Sequence, residues 1–180
     1  MPWLRQISGP RGISLVAILT AVTVVFTLVV RIPFAPTRGY FTLADVGVYF
    51  AGFTFGPLIG FVTGGLGTGL ADILGGYAHF AVWSFIIHGL QGLAAGVLGY
   101  RRGLPGMLAG WIAGGVIMVG GYFAVEYFLY GLGEALGEAV TVNLPQVAIG
   151  GLIGLLLTVA VRRAYPPIDW LIQGHAWRTE

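Results

Sequence analysis

Five stretches of this chain carry no charged side chain at all: 12–30, 46–71, 73–100, 103–125 and 139–161. A helix needs about 20 apolar residues to cross the hydrocarbon core of a bilayer, so each stretch is long enough or nearly so. Together they take up most of the 180 residues. Charged residues make up 9% of the chain, against about 25% in soluble domains, too few to cover a water-exposed surface. A soluble enzyme, a disordered segment and a nucleic-acid binder are therefore excluded. The net charge of +2 comes from arginines at the ends of the apolar runs, not from a phosphate-binding patch. With no cysteine there is no disulfide framework, thiolate metal site or cysteine nucleophile. The first run follows Arg5 and Arg11 in the manner of a signal peptide. Its length exceeds the roughly 7–15 apolar residues of such a region and no clear A-x-A site follows, so it reads as a retained span.

Gly56-Pro57 is a strong breaker pair and divides the second run. The expected fold is an all-α membrane protein, a six-helix bundle with spans near 13–32, 43–55, 57–75, 79–100, 104–131 and 140–162. The whole chain, 1–180, then forms one membrane domain with a tail at 163–180. Arginine bias places the more basic loops in the cytoplasm. Six spans put both termini there, with Arg5, Arg11, Arg101, Arg102, Arg162, Arg163 and Arg178 inside and Arg31 and Arg38 outside. Five spans with an outside N-terminus give the same ratio, so charge alone does not choose. Small residues let membrane helices approach closely. Glycines recur four apart at Gly52 and Gly56, Gly60 and Gly64, Gly92 and Gly96, Gly106, Gly110 and Gly114, and Gly150 and Gly154. The first helix instead carries Ala17 and Ala21, which suit either internal packing or a partner. There is no internal repeat of the kind that builds an inverted-repeat carrier.

Polar groups inside a membrane are costly and tend to mark sites. Ser84, His88 and Gln91 recur on one face of the fourth helix, beside Trp83. Tyr122 and Glu126 lie a turn apart on the fifth, and Asn143 and Gln146 near the start of the sixth. Arg31, Asp45 and Asp72 also fall near the outer ends of their helices. The inner halves, 93–98, 107–119 and 152–161, carry few hydrogen-bonding side chains. This pattern suggests a polar cup open to the outside and closed below, whereas a channel would need a polar path throughout. Each residue also has a structural reading. Arg31 can snorkel, His88 can be a hydrogen-bonded bundle histidine, Asn143 and Gln146 can join helices, Asp72 can support the Gly75-Gly76 turn, and Asp45 suits a helix N-terminus. Glu126 has the weakest such alternative, because a carboxylate within a span needs a counter-charge or a ligand. Glu134 and Glu138 read as a solvated outer loop.

No nucleophile stands in a G-x-S-G setting, and His79, His88 and His175 show no metal-ligand spacing such as H-E-x-x-H. The Gly64–Gly69 string GGLGTG lacks the lysine of a phosphate loop. No enzymatic activity, cofactor or metal is expected.

The segment Gly39-Tyr40-Phe41-Thr42-Leu43-Ala44-Asp45-Val46 and Phe55-Gly56-Pro57-Leu58-Ile59-Gly60, with Gly64-Gly65-Leu66-Gly67, Ala71-Asp72 and Gly75-Gly76-Tyr77, resembles a known family. So do Ile86-Ile87-His88-Gly89-Leu90-Gln91-Gly92 and Val142-Asn143-Leu144-Pro145-Gln146. The family is that of the substrate-binding S-components of energy-coupling-factor (ECF) vitamin transporters, riboflavin-transporter-type subgroup, and the resemblance covers most of 13–163. It implies a six-helix bundle in a bacterial or archaeal plasma membrane that captures a vitamin or precursor from outside and docks on a membrane T-component driven by two ATPase subunits. Ala17 and Ala21 match the family's A-x-x-x-A facing the T-component. Loops 33–42 and 75–82 match those that cover its ligand. By position and chemistry the site would comprise Tyr40, Tyr77, Trp83, His88, Gln91, Tyr122, Glu126, Asn143 and Gln146. Their aromatic rings suit a flat heterocycle, and Glu126 favours a neutral or cationic one. A flavin, thiamine or hydroxymethylpyrimidine would fit, while Arg31 and Arg38 leave an anionic vitamin open. The rival expectation is a self-sufficient secondary transporter or channel.

Overall fold

The computed structural model describes residues 9–34 and 39–170. Arg5, Arg38, His175 and Arg178, with most of the expected tail, lie outside the described residues. Helix α1 (Pro10–Val29) begins on a proline, whose missing N–H costs nothing in a first turn. A short antiparallel hairpin follows, β1 (Arg31–Pro33) and β2 (Tyr40–Thr42), with Arg31 opposite Thr42 and Pro33 opposite Tyr40. Helix α2 (Ala44–Phe55) carries Asp45 in its first turn, the end of a helix whose dipole favours an acid, though the carboxyl makes no capping hydrogen bond there. Gly56 then reverses the chain at φ 98°, a backbone region that side-chain-bearing residues rarely adopt. Pro57 opens α3 (Pro57–Leu74), so the helix pair expected around the Gly-Pro break is present at nearly the expected bounds.

After a tight turn come α4 (Ala81–Gly99) and α5 (Gly103–Tyr130). The last stretch departs from expectation. The segment after Tyr130 was expected as a loop before a helix at 140–162. Instead α6 (Leu132–Glu138) runs through a π-helical turn at Ala139–Asn143 into α7 (Leu144–Ala164). Pro145 sits in the first turn of α7, where it needs no amide partner. The wider turn before it lets the helical path continue rather than break. Five of these stretches, counting 132–164 as one, are long and apolar enough to span a membrane. The chain is thus an all-α membrane bundle.

The twelve-residue α2 lies at the centre, packed against α1, α3, α4 and α7, and eleven of its residues are buried. The closest approach is between α3 and α4, where glycines replace side chains. A Cβ on Gly60 would come within 2.5 Å of the Gly92 carbonyl oxygen and 2.8 Å of the Gly52 Cα. A Cβ on Gly96 would collide with the Pro57 backbone. Backbone cannot step aside as a side chain can, so Gly92→Val is expected to force the helices apart. The expected loss is about 3 kcal/mol, the upper range for overpacking, read as a fall in melting temperature in detergent. A variant melting like the parent would show that this approach is not required.

Candidate ligand-binding site

At the hairpin end of the bundle is a cavity of about 70 Å³. Helix periodicity explains what α4 contributes. Ser84, His88 and Gln91 recur on the face turned inward, at 2%, 3% and 0% exposure. Ser84 and His88 line the cavity, while Gln91 lies one turn deeper and is not in the lining. Trp83 is corrected. Its neighbouring position turns it away from the inward stripe, so it is 43% exposed on the outside of the bundle and absent from the lining. Trp83→Ala is accordingly expected to leave ligand affinity within about twofold of the parent by titration calorimetry, below what loss of a stacking contact would cost. A tenfold loss would return Trp83 to the site.

Of the other sequence candidates, Tyr40, Tyr77, Tyr122, Glu126, Asn143 and Gln146 all line the cavity. The Tyr40 hydroxyl donates to Asp72 Oδ1 at 2.7 Å. Burial pushes its pKa up, and the Asp72 carboxylate beside it pushes it further, which keeps the phenol protonated and donating. Arg31 sits behind these rings, its guanidinium carbon 4.3 Å from the centroids of both Tyr40 and Tyr77. It also donates to the Gly75 carbonyl at 2.9 Å. It thus pins the hairpin to the α3–α4 turn through cation–π contact. Tyr122 and Ser84 share a hydrogen bond of 2.6 Å. Gln146 Oε1 accepts the Thr42 amide at 2.8 Å, tying the hairpin to α7.

Behind the cavity wall a second polar chain runs inward. Gln91 Oε1 lies 2.6 Å from His88 Nδ1, and Gln91 Nε2 donates to Asp45 Oδ1 at 2.9 Å. Deeper still, Tyr49, Phe53, Ala95, Met107 and Leu155 form a buried cluster, closing the centre of the bundle.

The reading of Glu138 as part of a solvated loop is also corrected. Glu138 is 4% exposed, lines the cavity, and packs where a Cβ on Gly39 would overlap its carboxyl. Glu126, Tyr130, Glu134 and Glu138 all line the cavity, and their constant four-residue spacing was the signal that could have revealed them. Thr27, Thr42, Thr68, Phe80 and Met118 complete much of the wall. They come from separated segments and carry no pattern of their own.

In the lining, Asp72 Oδ2, Glu126 Oε2 and Asn143 Nδ2 are buried with no hydrogen-bond partner among the described residues. Leaving a polar group buried and unpaired costs about 1–3 kcal/mol, more if charged. A bundle of apolar helices that keeps such groups around a cavity at one end is a membrane protein built to receive a small molecule. The chain belongs to the family of ECF-type riboflavin transporter S components, whose model matches residues 10–163. This is a family of transporter subunits for vitamin uptake, not of enzymes. The chain is 34% identical over 154 residues to the thiamine precursor transporter HmpT of Lactococcus lactis subsp. cremoris (strain MG1363), covering 85% of this chain and 89% of the relative. It is 37% identical over 145 residues to an uncharacterized protein in a gap 3' region of Pyrococcus woesei, covering 76% of this chain and 94% of the relative.

Proposed function

We propose that this chain is the substrate-capture subunit of an ATP-driven ECF importer of the cell membrane, with six spans, both termini in the cytoplasm and the cavity facing outward. It works with a T-component and two ATPase subunits and binds a vitamin precursor through Tyr40, Tyr77, His88, Tyr122, Glu126, Asn143 and Gln146. The observation that carries this reading is the set of orphaned polar atoms on Asp72, Glu126 and Asn143, which a bound ligand would satisfy. Among heterocycles, a single ring of the hydroxymethylpyrimidine kind suits the small cavity and its carboxylates better than a tricyclic flavin. The similarity to a thiamine precursor transporter supports the same class. Ala17 and Ala21 are exposed and line an apolar groove with Val62, Leu66 and Leu70 of α3, which suits docking of a partner helix.

The test has two arms. Mass spectrometry of small molecules co-purifying with the protein is expected to find a pyrimidine. Uptake into proteoliposomes is expected only with the T-component, the ATPases and ATP. Uptake by the isolated chain under an ion gradient would sink the proposal.

A further inference from the structure

One face of the last helical stretch keeps to a period that an α-helix cannot hold. Ala135, Ala139, Asn143 and Val147 are 0%, 7%, 4% and 9% exposed, and Gly151 continues the buried series, one position in every four. An α-helix turns about 100° per residue, so each step of four gains about 40°, and Gly151 would end about 160° round from Ala135. A plain helix of this sequence would bury one end of the stripe and turn the other to lipid. The π-helical turn at Ala139–Asn143 takes up the difference. Its bonds span five residues rather than four, as from the Leu144 amide to the Ala139 carbonyl, so it turns less per residue. Pro145 keeps the turn wide, because in an α-helix its ring would press on the carbonyl of Thr141.

The consequence falls on the cavity. Glu134 and Glu138 line it from α6, and Asn143 and Gln146 line it from the end of the turn and from α7. Five α-helical steps would put Asn143 about 140° round from Glu138, whereas a π turn sets it nearly above. The rotation of α7 is fixed separately, by the Thr42 amide on Gln146 Oε1 at 2.8 Å and the Trp111 indole on the Val147 carbonyl at 2.8 Å. Without the wider turn, either the acids of α6 or the amides beyond it would face the cavity, not both. Asn143 Nδ2 is buried with no hydrogen-bond partner among the described residues, so this wall holds a donor that a ligand can use. We infer that the π turn is a positioning element of the binding site, phasing α6 against α7 so that Glu134, Glu138, Asn143 and Gln146 share one wall and the Asn143 amide meets an acceptor on the ligand ring. This rests on the reading of the cavity as a pyrimidine site.

The test shifts the phase of the full chain in detergent. Deleting Thr141, an exposed residue, together with Pro145→Ala leaves four steps between Glu138 and Asn143, a plain α turn with the same facing. Affinity for hydroxymethylpyrimidine, by calorimetry, is expected to stay within about threefold of the parent. In a stretch that was α-helical to begin with, the same deletion would swing Asn143 about 100° away. A loss of about thirtyfold or more, in a variant that melts like the parent, would therefore overturn the inference. Inserting one alanine after Thr141 leaves six steps, which neither kind of turn closes, and is expected to weaken binding at least about thirtyfold. Parent-like binding after insertion would overturn the inference as well, and if the insertion unfolds the protein the deletion decides alone. The chain has no cysteine of its own, so Asn143→Cys reports the phase without any ligand. A water-soluble thiol reagent is expected to label it equally in the parent and deletion backgrounds, and at least about tenfold more slowly after insertion. Slow labelling in the deletion background, or equal labelling in all three, would count against the π turn as decisively. If hydroxymethylpyrimidine does not bind the parent, the proposed substrate class fails, and the labelling still decides the phase.

Discussion

Glu126→Gln is expected to weaken ligand binding by about 10- to 100-fold while leaving the melting temperature of the empty protein unchanged or higher. Glu126 is 6% exposed, and its Oε2 atom is buried without a partner. In the empty bundle this carboxyl is a burden, because its desolvation is not offset by any bond to that oxygen among the described residues. An amide of the same shape gives up no bond that this oxygen makes, so the fold loses nothing. In the complex the balance reverses. Leaving a buried polar partner unsatisfied costs about 1–3 kcal/mol, and each 1.4 kcal/mol is about a factor of ten in affinity. Calorimetry against hydroxymethylpyrimidine, alongside thermal melting of the empty protein, separates the two effects. Equal affinity in the variant would remove Glu126 from the binding set. A lower melting point with weaker binding would make its role structural.

Ala17→Trp is expected to abolish uptake in the assembled transporter, by tenfold or more, with ligand affinity intact. Ala17 and Ala21 lie on the outward face of α1, beside the smooth ridge of Val62, Leu66 and Leu70. Helices associate in lipid by close packing of small residues, and an indole at Ala17 would hold a partner helix away. The cavity lies at the other side of α1's contacts, lined by Thr27 near its end, so binding should not respond. Full uptake by the variant, measured with the T-component and ATPases present, would show that the alanine pair is not a docking surface.

The membrane fold was readable because lipid imposes long charge-free runs, and 180 residues with nine basic and seven acidic side chains leave few other arrangements. Gly56-Pro57 was equally explicit, since a left-handed glycine followed by proline reverses a chain wherever it occurs. Helix periodicity correctly grouped Ser84, His88 and Gln91, but adjacency in sequence misled at Trp83, which periodicity turns the other way. The stretch after Tyr130 was misread for a different reason. Glu134 and Glu138 suggested solvent by their charge and Gly137 and Pro145 suggested a break, and no local rule announces the π-helical turn that carries the helix past them. Glu138 became a lining residue through tertiary packing against Gly39, a contact between positions about a hundred residues apart.

Helix α2 meets almost no lipid, because its neighbours sheathe it on every side. Hydrocarbon thickness, which sets the length of its lipid-facing companions, therefore sets no minimum on it. At 1.5 Å per residue its twelve residues reach about 18 Å, well short of the roughly 30 Å of the bilayer core. The missing turns are the chamber: Ala44, the first residue of α2, is one of its walls. The chamber thus comes from stopping one pillar early rather than from spreading the outer ones. Adding or deleting a single turn at that spot would resize the vestibule with the rim left in place.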